Sequence, residues 1–161
     1  MNAALITATF LGVSGLAYSV VTGFLVAVPA DVGPHVTLAI FSTLITLLAH
    51  SMTMFYLIGK GKAIREAVTD GGLPDEFYRA VARARRPVFS IGTMAMGVTM
   101  LTAILGGAVD TNILPVGVHS LAALATIAAN IFAFRVELVA LLLASETVTK
   151  VNELLVQVKT D

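Results

Sequence analysis

The chain has 161 residues, of which 57% are hydrophobic and only 12% are charged, and its formal net charge is zero. Soluble globular proteins carry roughly 25% charged residues, so this composition excludes an ordinary soluble domain. The sequence contains no cysteine, which excludes disulfides, thiolate metal sites and cysteine nucleophiles. We therefore expect an integral membrane protein that has the lipid bilayer as its surroundings.

Four apolar stretches follow one another along the chain, and each is long enough to cross a bilayer as an α-helix of about 20 residues. They cover residues 3–28, 36–59, 88–109 and 116–144. The short connections 29–35 and 110–115 can join only neighbouring helices. We predict an all-α fold, an antiparallel bundle of four transmembrane helices that forms a single domain over residues 1–161.

The segment between the second and third stretches, residues 60–87, holds most of the basic side chains. These are Lys60, Lys62, Arg65, Arg79, Arg83, Arg85 and Arg86. Gly71, Gly72 and Pro74 interrupt the segment, so we predict that the second and third helices continue beyond the membrane as a basic helical hairpin. Anionic lipid headgroups explain this charge better than nucleic acid does, and we expect no nucleic-acid partner.

The distribution of basic residues predicts the orientation in the membrane. The connections 29–35 and 110–115 contain acids but no lysine or arginine, whereas the C-terminal tail carries Lys150 and Lys159. Cytoplasmic loops are enriched in lysine and arginine. We therefore predict a multi-pass protein of the cytoplasmic (inner) membrane with the hairpin and both termini in the cytoplasm.

Polar residues recur at helical spacing inside three of the predicted spans, and each set lies on one helix face. On the fourth helix the polar face comprises His119, Thr126, Asn130 and Glu137, with Ala123 and Ala133 between them. On the second helix it comprises Thr43, Thr46, His50 and Thr53, and on the first Ser14, Tyr18 and Thr22. Because hydrocarbon offers no hydrogen bonds, these faces should point inward and form a polar axis.

The depths of the histidines follow from the helix rise. At 1.5 Å per residue, His50 lies about 24 Å below Pro34, and Asn130 about 22 Å below Pro115. We therefore predict that His50 and Asn130 meet in the bundle interior. The same arithmetic places His35 and His119 near each other at the outer surface.

The histidines His50, His119 and His35 are the candidate cofactor ligands, and haem b is the candidate cofactor. A membrane haem b takes axial histidines from facing helices, so His119 with His35 would supply both ligands. A second arrangement pairs His50 with a methionine such as Met96 or Met100. The alternatives are a neutral His50 hydrogen-bonded to Asn130 or a threonine, and soft copper ligation by the methionines around His50.

Glu137 is the acid on the inward face of the fourth helix. Two hypotheses stand for it. One is a structural bond to the second helix near Thr53 or Tyr56. The other is the inner end of a proton or cation path that continues through Asn130, His50 and Thr126.

The sequence shows neither a phosphate-binding loop nor a catalytic constellation, so we do not expect an enzyme that acts on its own. Two functions remain. The first is a small integral-membrane subunit of a larger membrane assembly, such as a respiratory or redox complex, whose polar axis holds a haem or a quinone. The second is a small oligomeric channel or transporter that conducts protons, cations or a small solute. Either function implies a homo-oligomer or a complex with other membrane chains.

The predicted orientation can be tested by accessibility. Cysteines introduced at Asp31, Gly71 and Asp110 should react differently with a membrane-impermeant maleimide added to intact cells. Positions 31 and 110 should be labelled from outside, and position 71 only after the membrane is opened. Labelling of position 71 in intact cells would show that the orientation is reversed.

Overall fold

The computed structural model describes residues 1–28 and 31–160, with side chains up to Val158. Pro29 and Ala30, in the first predicted outer connection, and Asp161 lie outside the described residues, as does the side chain of Lys159. The described residues form four α-helices and no strand. They are α1 (Asn2–Phe24), α2 (Val32–Asp70), α3 (Glu76–Asp110) and α4 (Val116–Thr160). Each helix is long and apolar enough to cross a membrane. The predicted all-α four-helix fold is confirmed.

The helices pack as an antiparallel bundle. Each helix packs against the next along the chain, α1 also packs against α4, and α2 and α4 touch across the diagonal. Because α2 and α4 run in the same direction and meet at the centre, their inward faces supply most of the interior. We refer to the end with the α2–α3 turn as the turn end, and to the end with the other two connections as the loop end.

The first helix ends earlier than the sequence indicates. The apolar stretch continues to Val28, but α1 stops at Phe24. The Asp31 carboxylate accepts hydrogen bonds from the backbone nitrogens of Ala27 and Val28 at 3.3 and 3.4 Å. These contacts replace a helical arrangement just before a proline, where the α conformation is disfavoured.

The helices differ in length, and this difference divides the molecule into two regions. At 1.5 Å per residue, the 23 residues of α1 span about 35 Å, close to the ~30 Å hydrocarbon core, whereas the 39 of α2 span about 58 Å. Gly12 of α1 packs so closely on α2 that a Cβ there would lie 2.9 Å from the Cα of Thr46. This contact fixes the register, so α2, α3 and α4 continue past the beginning of α1 at the turn end.

The apolar side chains on the outer surface mark the membrane region. Large exposed hydrophobic residues run along α2 as far as Ile58 and along α4 as far as Leu142, and they include Phe55, of which 74% is exposed. Beyond these residues, apart from two exposed valines near the C-terminus, the helix surfaces are polar or charged. This change of surface chemistry is what a helix shows where it leaves hydrocarbon.

Outside that region, α2, α3 and α4 form a three-helix bundle whose apolar core is continuous with the apolar residues of the membrane region. Ile64 and Val68 of α2, Val81 of α3 and Val151 of α4 are each at most 2% exposed. Burying side chains of this size contributes roughly 1.5–3 kcal/mol each. The predicted basic hairpin is therefore one part of a bundle whose third helix is the end of α4.

The turn between α2 and α3 is shaped by glycine. Gly72 has φ +62, a left-handed conformation that glycine adopts without strain. The backbone nitrogen of Leu73 donates to the Val68 carbonyl oxygen at 2.9 Å, which closes the last turn of α2. The partly buried Leu73 packs on the apolar core, so the turn caps this bundle.

The extramembrane core can be tested with two neighbouring positions. Val68→Asp places a carboxylate at a buried site and should destabilise the three-helix bundle by at least about 3 kcal/mol. Thr69→Asp adds the same group at an exposed position and should change stability by less than about 0.5 kcal/mol. Limited proteolysis in nanodiscs should then cleave residues 60–87 in the first variant only. Equal protease resistance of both variants would contradict a packed core here.

Candidate functional site

The centre of the bundle holds a buried pair of ionisable residues. His50 of α2 is fully buried and Glu137 of α4 is 1% exposed. The His50 Nδ1 and Glu137 Oε1 atoms lie 2.6 Å apart, and the other ring nitrogen, Nε2, lies 3.0 Å from Asn130 Oδ1. Thus the predicted contact between His50 and Asn130 is present, and His50 bridges Asn130 to Glu137 two turns further along α4.

The Asn130 amide fixes the hydrogen position on one side of the His50 ring. Its Nδ2 donates to Thr99 Oγ1 and to the Thr126 carbonyl oxygen, both at 2.8 Å. Both amide hydrogens are used, so Oδ1 must face the ring. An amide oxygen only accepts, and His50 Nε2 therefore carries a hydrogen and donates it.

The contact on the other side of the ring holds one proton. Two atoms 2.6 Å apart require a hydrogen between them. With the hydrogen on His50 Nδ1, the pair is an imidazolium and a carboxylate, and with the hydrogen on Glu137 Oε1, both residues are neutral. Both forms have no net charge, which suits a site without water. Gain or loss of one proton would leave a net charge in the membrane interior.

The second carboxyl oxygen of Glu137 is also buried. Oε2 has no hydrogen-bond partner within the described chain. The Thr9 hydroxyl of α1 lies beside the carboxyl group, but its hydrogen is donated to the Leu5 carbonyl oxygen at 3.0 Å. In that orientation the Thr9 oxygen can accept from a protonated carboxyl group, and rotation of the hydroxyl would let it donate to the carboxylate instead. Gly92 of α3 lies on the other side, and the Met54 Cε atom packs where its side chain would be, 2.5 Å from the position of a Cβ that would itself lie 3.7 Å from Oε1.

Threonines extend the network toward the loop end. The Thr126 and Thr102 hydroxyl oxygens lie 2.7 Å apart, and Thr102 Oγ1 also donates to the Ala122 carbonyl oxygen at 3.2 Å. Thr126, together with Thr46 of α2, was predicted on the polar axis, and both are buried. Thr46 donates to the Ser42 carbonyl oxygen at 2.7 Å and lies against α1, so it is inside the bundle but outside the His50 network.

The other two histidines lie together at the loop end. The ring centroids of His35 and His119 are 6.5 Å apart, and the rings are inclined by 75°. Each ring fits against a glycine of a neighbouring helix, His35 against Gly23 and His119 against Gly106. The predicted proximity of His35 and His119 is confirmed, and neither contacts His50.

The interior does not fit haem ligation by His50. An axial ligand needs a ring nitrogen with a free lone pair, whereas Nε2 carries a hydrogen and Nδ1 shares a proton with Glu137. Met100 is 53% exposed on the outer surface, and Met94 and Met52 also face outward. The pairing of His50 with Met100 is therefore wrong, whereas Met54 is buried and Met96 is partly buried, so soft copper ligation near His50 stays a hypothesis. No group of three or more His, Cys, Asp or Glu side chains positioned for a metal occurs among the described residues.

The polar face predicted for α1 is wrong for Ser14 and Tyr18, whereas Thr22 is partly buried and its Oγ1 lies 3.4 Å from His35 Nδ1. Ser14 is exposed, and 62% of Tyr18 is exposed on the outer surface. The buried polar residues of α1 are Thr9 and Ser19, on the face that also carries Gly12. Close packing of that glycine on α2 selects this face, because the smallest side chain allows the closest helix approach.

Sequence reasoning also missed Thr99 and Thr102 of α3, both of which bond to the α4 network. The signal was present in the spacing of Gly92, Ala95, Thr99 and Thr102, which are all buried. Intervals of three and four mark one helix face. Small residues on that face bring α3 close enough to α4 for these hydroxyl groups to reach Asn130 and Thr126.

The fold and the site define an α-helical multi-pass membrane protein with an ionisable pair in its interior. The sequence matches no family model, and no curated protein or solved structure is significantly similar to it. The function must therefore be argued from the site itself.

The proton-sharing geometry predicts different effects for two substitutions. His50→Leu leaves both Asn130 Oδ1 and Glu137 without their partner and should destabilise the bundle by about 2–5 kcal/mol. Glu137→Gln should cost less than about 1.5 kcal/mol, because the new amide can donate to Nδ1 of a neutral His50.

Unfolding of the purified protein by SDS in mixed micelles measures both free energies. Phe55→Leu, on the exposed face of α2, is the control and should change stability by less than about 0.5 kcal/mol. If Glu137→Gln proves as costly as His50→Leu, the pair depends on a full ion pair and not on a hydrogen bond that an amide can replace.

Proposed function

We propose that this protein is a small integral-membrane subunit that binds and releases a proton inside the bilayer through His50 and Glu137. The observation that supports this proposal is the 2.6 Å contact between these two residues, both of which are almost completely buried in a membrane-spanning bundle. Ionisable residues inside spans are costly and typically mark ion or proton pathways. A histidine and a carboxyl group are also the side chains most suited to proton transfer near neutral pH.

The position of the pair supports exchange from one side. Glu137 lies about 31 Å along α4 from Val116, near the turn-end boundary of the membrane region, whereas Asn130 lies on the loop-end side of His50. The positive-inside rule assigns the turn end to the cytoplasm. In this proposal a proton enters from the cytoplasmic side by way of Glu137 and is held at His50.

Asn130 favours a proton-binding role over continuous conduction. Its amide is fixed by three hydrogen bonds, to His50, Thr99 and Thr126, and so holds the His50 ring in place. An amide donates and accepts hydrogen bonds without exchanging its own protons readily. The threonine hydroxyls beyond it donate to backbone carbonyl oxygens, as Thr99 does to Ala95 at 2.8 Å. Such bonds stabilise the helix contacts and leave no chain of freely rotating hydroxyls. A partner chain would have to receive the proton, which is why we propose a subunit.

A conductor of protons or cations is the second candidate. The observation in its favour is that polar contacts continue beyond Asn130 through Thr126 and Thr102 to the pair His35 and His119 at the loop end. A change of helix packing that opens the contact between His50 and Asn130 would connect the buried pair to the polar contacts at the loop end. In this alternative Glu137 lies at the cytoplasmic end of the conduction path.

A haem-bearing subunit remains a hypothesis only through His35 and His119. Their rings meet edge to face and form the one histidine pair within the described residues, and His119 Nδ1 is buried without a hydrogen bond. An absorption spectrum of the purified protein tests it directly. A Soret band that disappears in His119→Ala would establish haem binding at the loop end and would replace the proton-binding proposal as the main function.

Proton binding can be measured by infrared spectroscopy of the protein in nanodiscs. Titration across neutral pH should change a carboxyl C=O band, and Glu137→Gln should remove that band while the amide bands of the helices stay unchanged. Glu153→Gln removes an exposed carboxyl group from α4 and should leave the band in place. A spectrum in which no carboxyl band both responds to pH and depends on Glu137 would refute the proposal.

Flux measurements separate the two candidates. Wild-type liposomes should not dissipate a proton gradient if the protein is a subunit, and purification from native membranes should recover fixed partner chains. Proton or cation flux by the wild type that Glu137→Gln abolishes and Glu153→Gln retains would instead establish the conductor and overturn the subunit proposal.

A further inference from the structure

A groove between α2 and α3 lies at the edge of the membrane region. It has a volume of about 170 Å³ and is lined by Ile58, Gly61, Lys62, Arg65, Tyr78 and Arg85. Drug-sized ligands occupy pockets of roughly 300–1,000 Å³, so this groove suits only a small group. Three of its six lining residues are basic and none is acidic.

The groove is built around Gly61. A Cβ at this position would lie 2.6 Å from Nη1 of Arg85, so the guanidinium of α3 crosses the backbone of α2 where a side chain is missing. Arg65 is held on the opposite side, with its guanidinium carbon 5.6 Å from the centre of the Tyr78 ring. These contacts place two guanidinium groups and the Lys62 ammonium around one small space.

The local charge is not neutralised by the protein. The Glu66 carboxylate lies 3.7 Å from Lys62 Nζ on the exposed surface, and Glu66 and Asp70 line a neighbouring depression that Lys62 and Arg65 share, outside the groove. No carboxylate lies within ion-pair distance of Arg65 or Arg85 in the part of the chain that the structure describes. The groove therefore has about two positive charges in excess, which an anion would balance.

The depth of the groove indicates where that anion comes from. Ile58 is the last large exposed hydrophobic residue of α2 at this end, and Lys62 follows one helical turn later. A site at this level adjoins the lipid headgroups. Basic pockets between transmembrane helices bind anionic headgroups, and arginine pairs with phosphate through two parallel hydrogen bonds.

We propose that this groove binds the phosphate of an anionic phospholipid headgroup. Arg85 is the central contact, Lys62 and Arg65 add charge, and the Tyr78 hydroxyl supplies a further donor. The lipid chains would lie along the exposed apolar face of α2 that includes Phe55 and Ile58. A bound lipid of this kind would link α2 to α3 at the point where both helices leave the membrane.

Native mass spectrometry of the full-length protein in detergent tests the site. Phosphatidylglycerol should bind at least ten times more tightly than zwitterionic phosphatidylcholine, with one lipid retained per chain. Arg85→Gln should abolish this preference. Lys62→Gln should weaken it several-fold, and because 77% of the Lys62 side chain is exposed, this variant does not depend on refolding of the core.

Two control variants separate the groove from general surface charge. Arg86→Gln removes the same charge from the next residue of α3, outside the groove, and should leave the preference unchanged. Gly61→Ala keeps every charge but displaces the Arg85 guanidinium, and it should weaken binding nearly as much as Arg85→Gln. Thermal unfolding of each variant in the absence of lipid confirms that the bundle is intact.

Three results would overturn the proposal. The first is equal binding of the two lipids by the wild type. The second is an equal loss of preference in Arg86→Gln and Arg85→Gln, which would show a non-specific charge effect. The third is displacement of the lipid by millimolar inorganic phosphate with Arg85-dependent phosphate binding, which would assign the groove to a soluble phosphate.

Discussion

The inability of hydrocarbon to form hydrogen bonds is the constraint on which the rest of this structure depends. A polar group inside the membrane region must find its partner within the protein, because an unpaired group there costs several kcal/mol. His50, Asn130 and Glu137 meet this requirement together, since each satisfies part of the bonding capacity of the next. The diagonal contact between α2 and α4 follows, because these two helices carry the groups that must meet.

The same constraint links packing to chemistry. Gly12 lets α1 approach α2, and Gly92 lets the Met54 methyl pack on α3 beside the Glu137 carboxyl group. Small residues of this kind bring helices together in lipid, where apolar side chains gain little by leaving one hydrocarbon for another. The buried pair is thus held by close contacts on both sides and excludes water. Its proton is correspondingly difficult to exchange unless the helices move, which connects a change of protonation to a change of packing.

The two ends of the molecule depend on different forces. Within the membrane region hydrogen bonds and close helix contacts hold the bundle, whereas beyond the beginning of α1 the core is apolar and is stabilised by water exclusion. The groove around Arg85 lies where these regions meet. The protein thus has a charged, water-exposed bundle at the turn end and an ionisable pair in the membrane interior, and α2 and α4 run through both regions.

The sequence by itself determined the class of protein, the helices and the inward face of α4, because composition and helical periodicity depend only on local order along the chain. It also placed His50 opposite Asn130, since two straight helices with matched starting points leave little freedom in depth. Only the tertiary structure joined Glu137 to His50. Equal helix rises separate them by about 9 Å, and because α2 and α4 run in the same direction, the tilt of helical side chains shifts both residues equally. Only the direct packing of α2 on α4 lets the two long side chains meet. The tertiary structure also decided which face of α1 is buried, whereas the spacing of Ser14, Tyr18 and Thr22 had predicted a different face. It also packed the end of α4 against the α2–α3 hairpin outside the membrane region. Both outcomes depend on which neighbour a helix packs against, and periodicity within one helix does not specify its neighbour.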